Sequence, residues 1–547
     1  MVRIMLRIIL GIFVFLFLLL IFIRSPWGQG IIVDKVTSYV SNKTHTKVEI
    51  ERLFLTFDGH LQIEGLFLED TKGDTLIYSK SLEANVPLWA MIRGEGIGVD
   101  ELNWQGLRAN IIRKDSIAGY NFQFLMDAFA SKETVPIPAD TTAAPLNIVI
   151  GKLNFKDFDI VFDDAVVGID SRFKIGALEA AMKTTDLEHM KFEASDLKLS
   201  DAQIKFIQTP VPKIPEENPA PLPSIAVDNL TLTNVFADYQ SYGDRIAAKV
   251  DIKELFAAIP KVNLANSDFE VTSFRLKNSS VVLHTETESN VVTQKLAEAT
   301  QDIKQDIKTF EWPELRLAID DLDLENNKFS YFVASAEANA GSFNPNAIVL
   351  HDLNLQANNI NLKDKTAELH IEKSNFKEIS GFDLKELSLE FNADDHTLKV
   401  TDLRAALNNN SLIANLRLDY PKLSALIESP EKSKVDLNIA AFQVSLKDVF
   451  LIQPQLKKNP HLNTLSKHLL SGNVKANGYL SDINSAQLKA NWANTHISAS
   501  GKLQNITDPN NLKFNIPSFS AITKRSDLIQ FVDEKQLGVS LPEDVKL

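Results

Sequence analysis

Three stretches of this sequence place residue types at spacings that chemistry uses. Gly94-Glu-Gly96-Ile-Gly98 has the glycine density of a loop that cradles phosphate. The dinucleotide fingerprint, however, puts its third glycine three residues after the second and continues into a helix. Here the third glycine comes one residue early and the residues that follow alternate like a strand, so the stretch reads as a turn. Asp321-Leu-Asp323-Leu-Glu325 opens like a calcium loop, but Asn326 stands where such a loop needs glycine, and the two leucines keep strand alternation. A strand is predicted there. His461 and His468 are seven apart and share a helix face if that region is helical, yet no H-E-x-x-H pattern accompanies them. Solvated surface histidines are the expectation.

Other chemistries lack their residues. With no cysteine in 547 residues there is no thiolate nucleophile, no Cys-ligated metal and no disulfide framework. No G-x-S-x-G occurs, and carboxylates are scattered rather than paired. A β-solenoid enzyme acting on polysaccharide would need clustered carboxylates and many exposed aromatics, which five Trp and eight Tyr hardly supply. The expectation is a protein that is not an enzyme and carries no cofactor or metal. A net charge of −14 repels polyphosphate, so nucleic acid is not an expected partner.

The elements that such a chain must build come next. Residues 8–23 are all Ile, Leu, Phe or Val except Gly11, with Arg3 and Arg7 before and Arg24 after. At about 1.5 Å per residue a helix of this length reaches roughly 24 Å, which snorkelling arginines extend toward a ~30 Å hydrocarbon layer. A cleaved signal would have a shorter core and a small-x-small site, whereas Arg24, Pro26 and Trp27 follow here. A retained single-pass anchor is predicted, with Trp27 at the interface and the body on the far side of the membrane from the amino terminus.

Beyond the anchor, apolar residues recur at every second position: Phe158, Ile160 and Phe162; Leu315, Leu317 and Ile319; Leu412, Ala414, Leu416 and Leu418; Val435, Leu437 and Ile439. That is the period of strands with one oily and one wet face. Because runs apolar on both faces are missing, antiparallel meanders are predicted. Residues 146–163, 224–239 and 313–331 repeat one scheme, an alternating strand followed by Leu-x-Leu or Leu-x-Phe and a Phe or Tyr strand. The loose period suggests several strands per unit.

Two Pro-rich stretches, 134–145 and 209–223, read as extended joints. Helices are predicted over 289–310, where Val292, Leu296, Ala299, Ile303 and Ile307 form a stripe, and in shorter form over 30–41, 121–130, 422–430, 445–470 with a break near Pro454, and 524–534. The predicted organisation is an anchor (1–26), an amino-terminal β module (27–133), a second meander (134–223), a third with its helical excursion (224–341), a fourth (342–472) and a fifth (473–547).

With these features in place, the chain resembles the AsmA-like superfamily, specifically TamB-type translocation and assembly proteins. The resemblance runs through Leu61-x-Ile63-x-Gly65-Leu66-x-Leu68-x-Asp70-x-x-Gly73-Asp74-Thr75-Leu76, then Tyr120-Asn121-Phe122-x-Phe124-Leu125, Ser380-Gly381-Phe382, Leu398-x-Val400 and the strand ending at Tyr420. It closes over 472–517 with Gly478, Gly501 and Leu503. Each motif is degenerate, and the specificity lies in their order.

What the resemblance implies is an inner-membrane protein, anchored through residues 8–23, whose body lies in the periplasm. It implies an elongated, repeating β-meander curled into an open, taco-like groove that carries phospholipid between inner and outer membranes. The lining would include Phe155, Phe158, Ile160, Phe162, Leu230, Leu232, Leu315, Leu317, Ile319, Leu353, Leu355, Leu369, Ile371, Leu416 and Leu418. Their alternation alone, without the resemblance, is better read as an ordinary sandwich core. A second implied activity is assisting outer-membrane protein assembly by pairing strands with β-rich clients. The family's carboxyl-terminal module, which engages an outer-membrane barrel partner, has no counterpart before Leu547, so a fragment is the expectation.

Overall fold

The computed structural model describes residues 22, 25–55, 60–85, 97–129, 148–186, 189–211, 224–286, 312–532, 534 and 540–546. The chain is mostly β with few helices and forms two compact units, Met1–Ala265 and Asn266–Leu547.

The first unit begins with helix α1 (Pro26–Thr44). Ser25 caps it by accepting from Gly28 N at 3.0 Å, Pro26 starts the first turn, and His45 ends it in the left-handed region. These are the start and stop signals expected of a helix that outlasts the predicted 30–41 at both ends. Strands β1 (Val48–Glu49), β2 (Arg52–Leu55), β3 (His60–Glu69), β4 (Thr75–Asn85) and β5 (Ile97–Arg113) follow. Helix α2 (Gln123–Phe129) then precedes β6 (Ile148–Asp164), β7 (Ile169–Asp186), β8 (Lys191–Gln208), β9 (Ser224–Ser241) and β10 (Ile246–Asn263). Both β1 and β2 pair with β3, and from β3 to β10 each strand pairs with its successor.

In the second unit, β11 (Asp268–Val271), β12 (Ser273–Lys277) and β13 (Ser280–Thr285) lie one after another along β14 (Arg316–Val333). From there β15 (Ala347–Lys363), β16 (Thr366–Glu378), β17 (Asp383–Ala393), β18 (Thr397–Leu407) and β19 (Asn410–Asp419) form an antiparallel meander. After helix α3 (Ala425–Glu428) it continues through β20 (Lys434–Val444), then helices α4 (Leu446–Ile452) and α5 (Pro460–Leu465), then β21 (Leu470–Tyr479). Strands β22 (Asp482–Trp492), β23 (Thr495–Gln504) and β24 (Lys513–Lys524), helix α6 (Arg525–Leu528) and β25 (Asp544–Lys546) complete it.

The purely antiparallel expectation is corrected at three places. β5 with β6, β8 with β9, and β11–β13 with β14 are parallel. At each, the connection (114–147, 209–223 or 286–315) is long enough to carry the chain back to the end at which the preceding strand began. The strands that open after these crossovers, β6, β9 and β14, are the three copies of the sequence repeat. Alternation reports which face is apolar and is silent about the direction of the neighbour.

Helix α2 lies within the predicted 121–130, the predicted 445–470 resolves into α4, a 3-10 turn (Pro454–Lys458) and α5, and the predicted 524–534 contains α6 and a helical residue at 534. The helix predicted over 289–310 and nearly all of the predicted anchor lie outside the described residues. Among the described residues no helix is long and apolar enough to cross a membrane.

Candidate functional site

Pairing register turns the alternation of single strands into rows across the first unit. Leu53, Ile63, Leu82, Trp104, Phe155, Leu178, Leu199, Leu232 and Leu255 are neighbours in turn from β2 to β10. Beside them runs Leu61, Ala84, Leu102, Leu153, Ala180, Leu197, Leu230 and Ala257. A third row holds Leu68, Ile77, Ala109, Ile160, Phe173, Ile204, Ala237 and Val250. The opposite face is polar, with Glu83, Asn103, Asn154, Glu179, Lys198 and Thr231 in one row. Ion pairs join Arg108 to Asp157 and Arg172 to Asp159, at 2.9 and 2.6 Å.

A bulge-like line, where the ladder skips one residue on each strand and keeps its register, crosses the sheet between the first row and the third. Gly65, Gly106, Asp157, Asp201 and Asn234 all have positive φ. Gly106 falls opposite Lys80, between the pairs Ser79–Leu107 and Ser81–Gln105; Asp201 and Asn234 fall side by side, between Ser200–Thr233 and Ala202–Val235. Each such skip shifts the side-chain alternation of its strand by one. Phe155 and Phe158, three apart, therefore share the apolar face and stack at 4.9 Å between ring centroids, and Trp104 meets Phe158 edge-on at 5.7 Å. Leu107, Ala109 and Phe158 are buried there, with Trp104, Phe155, Ile160 and Ile175 packed against them.

In the second unit Leu322, Ala357, Ile371 and Leu389 form one row, and Phe391, Val400, Leu416, Leu437, Ala476 and Ala486 another. Leu369 stands beside Phe391, Leu418 between Leu398 and Val435, Leu317 beside Leu362, Ile319 beside Ile360, and Leu355 beside Leu324. Leu353 faces Asn327, and Leu315 lies just before β14. Phe162 neighbours Ile111. Of the fifteen lining candidates only Phe158 is buried, at 5% exposure; the other fourteen are half-buried. The candidates before residue 265 share the first unit's face and those after it belong to the second unit.

The lining candidates left out Trp104, Leu178 and Leu199, and also Leu437 although its strand was read from alternation; all four sit in the same rows. The usable signal was a phase slip: apolar, polar, then Gly, Asp or Asn, then apolar again. It occurs in Ile63-Glu-Gly-Leu66, Trp104-Gln-Gly-Leu107, Phe155-Lys-Asp-Phe158, Leu199-Ser-Asp-Ala202 and Leu232-Thr-Asn-Val235.

One charged group is buried at the end of β6. Asp164, with 1% of its side chain exposed, accepts from Arg113 Nε and Nη2 at 2.8 and 2.5 Å, from Tyr120 Oη at 2.7 Å, and from the amides of Val166 and Val167. Burial pushes its pKa up, but these donors outweigh burial and hold it below the usual aspartate value. Tyr120 is pushed above its ordinary value by burial and by its bond to Asp164. Every acceptor site of this carboxylate is occupied, so it staples the loop that leaves β5 onto β6 rather than serving as a base.

Of the stretches with chemical spacing, 94–96 lie outside the described residues. Ile97 opens strand β5, so no helix follows the glycines at 94–98. Asp321, Asp323 and Glu325 lie within β14. His461 stacks on Phe531 and His468 meets Trp492 edge-on, packing against rings. Among the described residues no three His, Asp or Glu side chains are grouped to hold a metal ion. No protein-family model and no curated protein matches the sequence.

Proposed function

We propose that this chain is a membrane-anchored, periplasmic bridge-like protein whose apolar face carries the acyl chains of phospholipid between inner and outer membranes. One observation carries the proposal: rows of Leu, Ile, Phe, Val, Trp and Ala run without a polar interruption from strand to strand, yet apart from buried alanines their side chains stay half-buried. A monomeric soluble domain rarely leaves so extensive an apolar surface uncovered, and acyl chains are a filler that needs neither sequence nor fixed shape. A curved wall is favoured by the break in alternation at corresponding positions of β6, β8 and β9, where Asp157, Asp201 and Asn234 take positive φ within strands of 17–18 residues. The order of motifs resembling the AsmA-like superfamily points the same way, as does the apolar segment at 8–23.

The test is a photo-crosslinking residue placed in cells at Phe162, Leu232, Leu355 or Leu416. Phospholipid captured at several positions supports the conduit, and failure at all four in folded protein rejects it.

A second reading, a TamB-type assembly factor that pairs strands with outer-membrane clients, is favoured by β24. Its residues Phe514, Ile516 and Phe519 are exposed. Among the described residues its free edge is paired only at Ile522–Lys524, by β25. An unpaired edge beside exposed aromatics is a template for a guest strand. Crosslinks from 514–520 to nascent barrel strands, with none to lipid elsewhere, would favour this reading.

A further inference from the structure

Helix α1 presents two unlike faces. Val33 and Thr44 fall on one side of the helix and are buried, and the helix packs against β1 and β2. On the other side Trp27, Ile31, Lys35 and Tyr39 follow one another at four-residue spacing, so they form one slowly turning stripe. Trp27 is 71% exposed and Tyr39 59%. Helix α2 extends this stripe. Phe129 lies against Tyr39 at 6.3 Å between ring centroids, and Lys43 donates to Ala128 O at 2.9 Å with its ammonium over the Phe129 ring. Met126, one turn back on α2, is 59% exposed.

Trp, Tyr and Lys on the outward side of a helix, with aliphatic residues between them, match the chemistry of the zone where headgroups meet acyl chains. The sequence supplies the occupant: the apolar run 8–23 ends three residues before α1 begins. A chain anchored through that run holds α1 within a few residues of the membrane surface. We infer that α1 and α2 together form a platform that lies on the bilayer, seating Trp27, Ile31, Tyr39, Met126 and Phe129 among the headgroups and setting β1–β3 at the membrane. This inference rests on the proposed anchor and goes beyond it by assigning a surface of the folded body to the lipid.

The chain has no cysteine, so single labels are unambiguous. The full chain in nanodiscs of phosphatidylethanolamine and phosphatidylglycerol would carry one nitroxide at a time through Ile31→Cys, Tyr39→Cys or Met126→Cys. Leu16→Cys reports on the anchor and Lys174→Cys on the polar face. Oxygen accessibility relative to a water-soluble nickel chelate is expected to be at least about threefold higher at positions 31, 39 and 126 than at 174. If position 16 is in lipid while 31, 39 and 126 match 174, the platform is wrong and the anchor stands. If position 16 also matches 174, both fall. Labels at 31, 39 and 126 shielded from both reagents would mean a protein partner covers the stripe, which also overturns the platform.

Discussion

The indole N–H of Trp104 donates to the hydroxyl of Ser79 at 2.7 Å, and the two residues stand on opposite sides of the bulge line. Ser79 is fully buried. The bond ties together the two parts of the apolar face on either side of Gly106, next to the ring cluster of Trp104, Phe155 and Phe158.

Gly106 has φ +68°, and a Cβ there would lie 2.7 Å from Lys80 Cβ. Gly106→Val should cost about 2 kcal/mol or more in a urea unfolding experiment, from the left-handed backbone and the contact together. Asn234→Gly, at another bulge, should change stability by less than about 0.5 kcal/mol because glycine accepts positive φ without strain.

Asp164→Asn removes the charge that Arg113 and Tyr120 satisfy, and should cost about 2 kcal/mol, read as a lowered urea midpoint. Because the folded pKa of Asp164 is depressed, its contribution is complete above the ordinary aspartate value of about 4 and is lost as pH falls through the folded value. The pH dependence of wild-type stability on the acid side should be shallower in Asp164→Asn.

Tyr420 is buried and donates from Oη to Asp394 O at 2.8 Å. Burial first, and the nearby Asp394 and Asp395 charges second, push its pKa up to about 12. The folded state thus favours the neutral phenol: its contribution is complete below about 10 and is lost as pH rises toward 12. An ultraviolet titration of wild type minus Tyr420→Phe should show one phenol ionising near 12, and the substitution should cost about 1 kcal/mol at neutral pH.

Leu416→Asp distinguishes a covered core from an open face. Beneath a second protein layer a new carboxylate would cost several kcal/mol. On the half-buried row beside Val400 and Leu437 the expected loss is about 1 kcal/mol, because water reaches the site when lipid is absent. Calorimetric unfolding reads the difference.

The strands were legible in the sequence because a period of two marks a half-buried sheet, as in Leu412–Leu418 and Phe158–Phe162. The direction of neighbouring strands was not, since β8 and β9 carry the same alternation in a parallel pair as they would in an antiparallel one. The bulges left a mark in the phase slip at Trp104-Gln-Gly-Leu107 and its counterparts. The Arg113–Tyr120–Asp164 staple left none, because Asp164 lies 51 residues from Arg113 and 44 from Tyr120 and meets them only through the parallel register of β5 and β6.

The central claim is tested most directly by purifying the body without detergent and identifying its organic-soluble material by mass spectrometry. The account predicts phospholipid bound to wild type and largely lost from folded Leu416→Asp and Leu355→Asp. Folded wild-type protein free of phospholipid, or unchanged lipid in both variants, would contradict it.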